Sequence, residues 1–163
     1  MSAARAVLLE RAAIEAWLPH REPFLFLDRI VALEPEASPP ALTAEWRVPA
    51  EADFFRGHYP GNPITPGVIL CEHAFQAAAV LLCARGAAFG AAFHGGRDVP
   101  VLARIEKARF RRLVRPGETL TTRVTLVESV GPASFLEAKS TVGGERVLEL
   151  ACVLSRSAGG NEA

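Results

Sequence analysis

The 163-residue sequence predicts a single α+β domain, an antiparallel sheet of about six strands wrapped around one long central helix. Three observations lead there. The run VILCEHAFQAAAVLLCARG, residues 68–86, has almost no polar side chains and many good helix formers. Runs rich in β-branched and aromatic residues lie on both sides of it, separated by Gly and Pro turn formers. Half of the residues are hydrophobic and 22% are charged, a balance suited to a packed core and not to disorder. A helix apolar on nearly every side has to be enclosed by protein, and one curved sheet leaves a flank of it open. That flank predicts a homodimer.

In chain order, Val7, Leu8, Ile14, Trp17 and Leu18 have roughly helical spacing, which predicts a short amphipathic helix over 3–18, ended by Pro19. Two strands are expected from FLFLDRIVAL (24–33) and ALTAEWRV (41–48), joined by the Pro-rich turn EPEASPP. FFRGHYPGNPITPG (54–67) then spends three glycines and three prolines in fourteen residues, which excludes regular structure and predicts a constrained loop. It runs into the long helix, with Thr65 as the expected N-cap and Pro66 as the first helical residue. After a glycine-rich break near 86–96, four strand-like runs follow as a meander: VPVLARIEKARF, ETLTTRVTLVES, ASFLEAKSTV and ERVLELACVLS. The domain is placed at 1–155, and residues 156–163, ending in SAGGNEA, are expected to form a disordered tail.

Composition narrows the function. Eighteen basic residues balance eighteen acidic ones, so no global field recommends nucleic acid or an anionic membrane as partner. Cys71, Cys83 and Cys152 are odd in number and lack metal-ligand spacing; they fit small core side chains in a reducing cytoplasm. On one helix, Cys71 and Cys83 lie about 18 Å apart along the axis, too far for a disulfide. Charges interrupt the N-terminal segment every few residues, which argues against a signal peptide or anchor. The long helix carries Glu72, His73 and Gln76 near its start, so it is read as a buried helix and not a membrane span.

Glu72 is the anomaly. A carboxyl group among Val68, Ile69, Leu70, Ala74 and Phe75 pays a desolvation cost that favours its protonated form, the state a general acid needs. Gln76, one turn on, shares its helix face and can orient it. His58, locked in the loop by Gly57, Tyr59 and Pro60, offers an imidazole that can act as a base at cellular pH. The helix start at Gly67 and Val68 offers unpaired N–H groups to an acceptor oxygen, and Gly67 permits close approach. A polarised carbonyl, a base and an acid along an apolar cavity match loss of water from a 3-hydroxyacyl thioester, with no metal or redox cofactor required. Spacing alone leaves His58 open to a structural role and Glu72 open to pairing with a partner's Arg.

The run GHYPGNPITPGVILCEHAFQ resembles the signature of the β-hydroxyacyl-acyl carrier protein dehydratases, GHFPxxPxMPGVLxxEAxxQ. Gly57, His58, Pro60, Pro63, Pro66, Gly67, Val68, Glu72 and Gln76 fall at unchanged spacing. LPHREPFLFLDRI (18–30) and ARFRRLVRPGETL (108–120) resemble two further motifs of that family. The resemblance implies a hotdog fold, His58 as the base for the α-proton, Glu72 as the acid for the departing hydroxyl, and Gly67 N–H on the thioester carbonyl. It also implies that His58 and Glu72 of one site come from opposite subunits of a homodimer, with trimers of dimers as a further level of assembly. Glutamate at position 72 resembles the branch that dehydrates without isomerising. Tyr59 and Thr65 replace a usual phenylalanine and methionine as candidate lining, Glu22 a tyrosine and Leu113 a proline. These departures leave open the acyl length and the choice between fatty-acid, polyketide and aryl-polyene pathways.

Arg104, Lys107, Arg109, Arg111, Arg112 and Arg115 stand against Glu106 alone between 104 and 115. This cluster is either a charged strand edge or a docking site for an acidic acyl carrier protein and its phosphopantetheine arm, with Arg112 and Arg115 as candidates. His20, in LPHREP, is assigned to packing or capping. His73 points about 100° away from Glu72 around the helix, so it is left out of the site. Two other functions are weighed beside the dehydratase: a hotdog thioesterase, and a non-catalytic partner in a heteromeric dehydratase.

Overall fold

A computed structural model describes residues 7–85 and 100–156. The glycine-rich break and the terminal tail fall outside the described residues, although the last strand continues to Arg156, one residue into the expected tail. Seven strands form one antiparallel sheet: β1 (Leu9–Glu10), β2 (Arg29–Glu34), β3 (Ala41–Arg47), β4 (Pro100–Phe110), β5 (Thr119–Val130), β6 (Ala133–Val142) and β7 (Glu145–Arg156). Helix α1 covers Arg11–Trp17 and helix α2 Gly67–Arg85. The sheet order is β1-β2-β3-β5-β6-β7-β4.

Helix α2 is enclosed as its composition requires: from Leu70 to Cys83 every residue but Glu72 is buried. It packs on β3, β5 and β7, where Trp46, Leu120 and Leu148 are fully buried. The sheet curves around it because the ladders slip by one residue at Val31, Ala103, Glu106, Val127 and Val147, and each slip bends the strand and adds twist. Hydropathy and length alone would let this helix cross a membrane; its burial inside the sheet marks it as a core helix.

Four expectations are corrected. Residues 3–6 of the expected N-terminal helix lie outside the described residues, and among the described ones only Arg11–Trp17 is helical, because Leu9 and Glu10 pair with Ile30 and Arg29 at the sheet edge. Strand β2 begins at Arg29, not Phe24. The backbone of Phe24 and Phe26 is engaged by side chains of α2 instead: Gln76 Nε2 donates to the Phe24 carbonyl at 2.9 Å, Phe26 N–H donates to Gln76 Oε1 at 2.8 Å, and His73 Nδ1 bonds the Phe26 carbonyl at 2.6 Å. A ladder cannot use groups already spent in this way. The meander holds for β5, β6 and β7, whose last turn, Gly143-Gly144, has φ 57° and 84°, the positive values a two-residue hairpin needs. Strand β4 does not join it next to β5. It pairs with β7 at the far edge and is exposed from Val101 to Phe110. The strand count becomes seven through the two-residue β1.

Candidate active site

The Gly/Pro-rich loop is tied at both ends. A 3-10 turn at Asp53–Arg56 leads into it, and His58 N–H donates to the Phe54 carbonyl at 2.9 Å. Beyond it, Thr65 N–H donates to the Val114 carbonyl at 2.7 Å, and the Arg115 guanidinium reaches across to Asn62 Oδ1 at 2.9 Å. Tyr59 between these ties has φ 55°, a left-handed conformation that costs a side-chain-bearing residue about 1 kcal/mol and persists only where its surroundings hold it. Its ring stands edge-on to His58 with centroids 4.7 Å apart. Nδ1 of His58 lies 2.7 Å from the Ile64 carbonyl oxygen. A carbonyl only accepts, so Nδ1 carries the proton and Nε2 presents its lone pair, the tautomer a base needs.

At the start of α2, Ile69 and Leu70 N–H donate to the Pro66 carbonyl at 2.9 and 3.3 Å. Pro66 is therefore the N-cap, one residue later than expected. Thr65 does not cap: its hydroxyl is buried without a partner among the described residues. The amides of Gly67 and Val68 precede the first helical bonds and have no intrahelical acceptor. A Cβ on Gly67 would meet the Phe110 ring at 3.0 Å, so the bare glycine also seats that ring. His58, Tyr59, Thr65, Gly67 and Phe110 line one cavity of about 290 Å³. An imidazole and the Gly67 N–H therefore share this cavity.

Glu72 lies elsewhere. Its side chain is 22% exposed and its oxygen Oε1 accepts from Gln76 Nε2 at 3.0 Å, as the shared helix face predicts. The carboxyl group is thus half-buried and partnered, and not sealed in an apolar interior. It does not line the cavity that holds His58. A second cavity of about 300 Å³, walled by Phe24, Phe26, Trp46, Phe54 and Ile69, opens one turn before Glu72 on α2. Val68, one turn before Glu72 on the same face, is 74% exposed.

His73 is fully buried, with Nδ1 on the Phe26 carbonyl and Nε2 2.8 Å from Thr122 Oγ1. Burial lowers its pKa to about 4, so it stays neutral and structural. His20 departs from the packing role assigned to it: its Nε2 lies 3.4 Å from Glu72 Oε1. Nothing in the local sequence marks that contact, since the two residues are 52 positions apart. Arg112 is occupied, with Glu118 at 2.7 and 3.0 Å and Glu145 at 2.9 Å, whereas the Arg115 guanidinium bonds only neutral acceptors. Burial pushes the thiols of Cys71, Cys83 and Cys152 up to about 11, 12 and 12, which keeps them out of nucleophilic chemistry. No group of three potential ligand side chains is placed to hold a metal among the described residues.

A sheet curled around a buried helix, with an imidazole and a helix-start glycine in one cavity, defines a hotdog-fold protein. The solved structures that resemble it carry that fold: the dehydratase heterocomplex ApeI:P from Xenorhabdus doucetiae has a TM-score of 0.68 at 14% identity, covering 88% of this chain and 90% of that one. The E. coli PaaI protein of the phenylacetic acid degradation operon has a TM-score of 0.57 at 14% identity, over 78% and 81% of the two chains. A FabA-like domain matches residues 18–151. The 3-hydroxyacyl-acyl-carrier-protein dehydratase FabZ of Chloroflexus aggregans is 41% identical over 142 residues, 87% of this chain and 92% of that one. Its counterpart from Oenococcus oeni is 38% identical over 133 residues, 82% and 88% of the two chains. The chain belongs to the FabA-like family, beside the FabZ dehydratases.

Proposed function

We propose that this protein is a (3R)-3-hydroxyacyl-acyl carrier protein dehydratase of fatty-acid or related biosynthesis, working in the cytoplasm as a homodimer in which His58 of one chain faces Glu72 of the other. The observation that carries the proposal is the His58 tautomer: Nε2 has no partner among the described residues and shares a cavity with Gly67, whose amide, like that of Val68 beside it, has no intrahelical acceptor. In the reaction, those amides hold the thioester carbonyl oxygen and stabilise the negative charge it gains. Nε2 removes the α-proton, the Cβ–O bond breaks, and the carboxyl group of Glu72 protonates the departing hydroxyl as water. The product is a trans-2-enoyl thioester. No oxidation state changes, so the chemistry needs no redox cofactor.

The dimer is supported by two features of the single chain. Strand β4 is an eleven-residue edge strand with one side unpaired among the described residues, a template for a second strand of like length. The exposed Val68 beside Glu72 marks the flank of α2 that the sheet leaves open. An isologous pair through this region covers both.

Incubating the purified protein with 3-hydroxyacyl and trans-2-enoyl thioesters of several lengths tests the function. Interconversion followed by enoyl absorbance, without thiol release, is the expected result. Thiol release without enoyl formation means a thioesterase, and no turnover at any length overturns the dehydratase. Arg115 is the better candidate for the carrier protein, because its guanidinium bonds only the neutral Asn62 and Pro63 acceptors among the described residues, whereas that of Arg112 is bonded directly to Glu118 and Glu145. Arg115→Glu should raise KM for the carrier-bound substrate about tenfold and leave KM for a short pantetheine thioester unchanged, as steady-state kinetics with both substrates will show.

A further inference from the structure

We propose that His20 is a positioning residue for the carboxyl group of Glu72, holding one of its oxygens so that the other is presented to the substrate. The inference rests on the reading of Glu72 as the general acid. Two nitrogen atoms converge on Oε1 of Glu72: Gln76 Nε2 at 3.0 Å and His20 Nε2 at 3.4 Å. Oε2 has no protein partner among the described residues. A protonated carboxyl group accepts on one oxygen and donates from the other, so donors gathered on Oε1 place the transferable proton on Oε2.

The surroundings of His20 set its ring the right way round. Nδ1 is buried without a hydrogen-bond partner among the described residues. An orphaned N–H is tolerated less well than an orphaned lone pair, so a ring carrying one proton holds it on Nε2, toward Glu72. The ring lies nearly parallel to that of Phe24, at 21° with centroids 6.5 Å apart. Phe24 is itself fixed by Gln76, which donates to its carbonyl at 2.9 Å. The backbone of His20 is clamped by Arg21, whose Nη1 donates to the carbonyls of Leu18 and His20 at 2.7 Å each. One glutamine thus joins the carboxyl group to the segment that carries the histidine, and the ion-pair partners of the neighbouring Glu22 and Asp28 lie on Arg11, away from Glu72. Nothing else charged is placed against the carboxyl group by the described ion pairs.

Steady-state kinetics on the full-length protein test this with His20→Leu, His20→Ala, His20→Gln, Glu72→Gln and the double variant His20→Leu/Glu72→Gln, each checked for a native melting transition. Either apolar replacement should lower kcat about tenfold, the rate equivalent of one polar contact tightened in the transition state, with KM within twofold of wild type. Glutamine, whose amide N–H can reach the same oxygen, should recover most of the rate. In the Glu72→Gln background, His20→Leu should cost nothing further, because the two residues act through one carboxyl group. A kcat within twofold of wild type for the apolar variants overturns the inference, as does an undiminished loss on top of Glu72→Gln, or a failure of glutamine to rescue. If Glu72→Gln itself keeps wild-type turnover, the acid assignment falls first and the inference with it.

Discussion

Replacing His58 with alanine should lower the rate of dehydration by about 10³-fold, and replacing Glu72 with glutamine should do the same, if each removes the proton-transfer group proposed for it. Both variants should keep the wild-type melting temperature within a few degrees. His58 contributes its Nδ1–H bond to one carbonyl at a half-buried position, and Glu72 is also half-buried, so neither removal opens a core cavity. Stopped assays of enoyl formation, with circular dichroism melts beside them, check both parts. Loss of rate together with loss of fold would show that the residues hold the structure and not the chemistry. The effect should appear in kcat, because a proton transfer is made only in the transition state.

The second large effect concerns stability. His73 is buried neutral with a pKa of about 4, against 6.5 for an unperturbed imidazole. Below pH 6.5 the unfolded chain binds a proton there that the folded chain refuses, so stability must fall as the pH drops from about 6.5 to about 4, and then level off. The whole window is worth about 3 kcal/mol. Equilibrium denaturation at fixed protein concentration across this range should show the fall. A His73→Gln variant, which does not titrate, should lack that component of the slope while starting from a lower stability at pH 7. An identical slope in the two proteins would mean that the carboxylates alone set the acid response. The Phe26 carbonyl and Thr122 hydroxyl on either side of the ring explain the starting loss, as both are left to find new partners.

The loop from Phe54 to Gly67 and the helix after it were legible in the sequence, because proline and glycine restrict φ locally and because an apolar run of that length has to be enclosed. The Glu72–Gln76 contact was legible for the same reason, being one helical turn. What escaped depends on groups far apart in the chain. FLFLDRIVAL has strand composition, yet its first residues are drawn off by Gln76 and His73 from some fifty positions away. VPVLARIEKARF has the look of one more rung in a meander, yet it crosses to the far edge beside β7; short-range pattern records that a segment is a strand and not which neighbour it takes. The local setting of His20, between a helix end and prolines, reads as packing and says nothing of a carboxyl group 52 residues later. Arg112, equally exposed in sequence terms to Arg115, turned out to be spent on Glu118 and Glu145.

The central claim is that each active site joins two chains, and complementation tests it most directly. His58→Ala and Glu72→Gln chains, each inactive alone, are unfolded together in equal amounts, refolded, and assayed for dehydration. Random pairing makes half of the dimers mixed, and each mixed dimer has one site with both groups intact, so activity should return to about a quarter of wild type. If His58 and Glu72 served one site within the same chain, no mixture would contain an intact site, and the refolded sample would stay as inactive as its components.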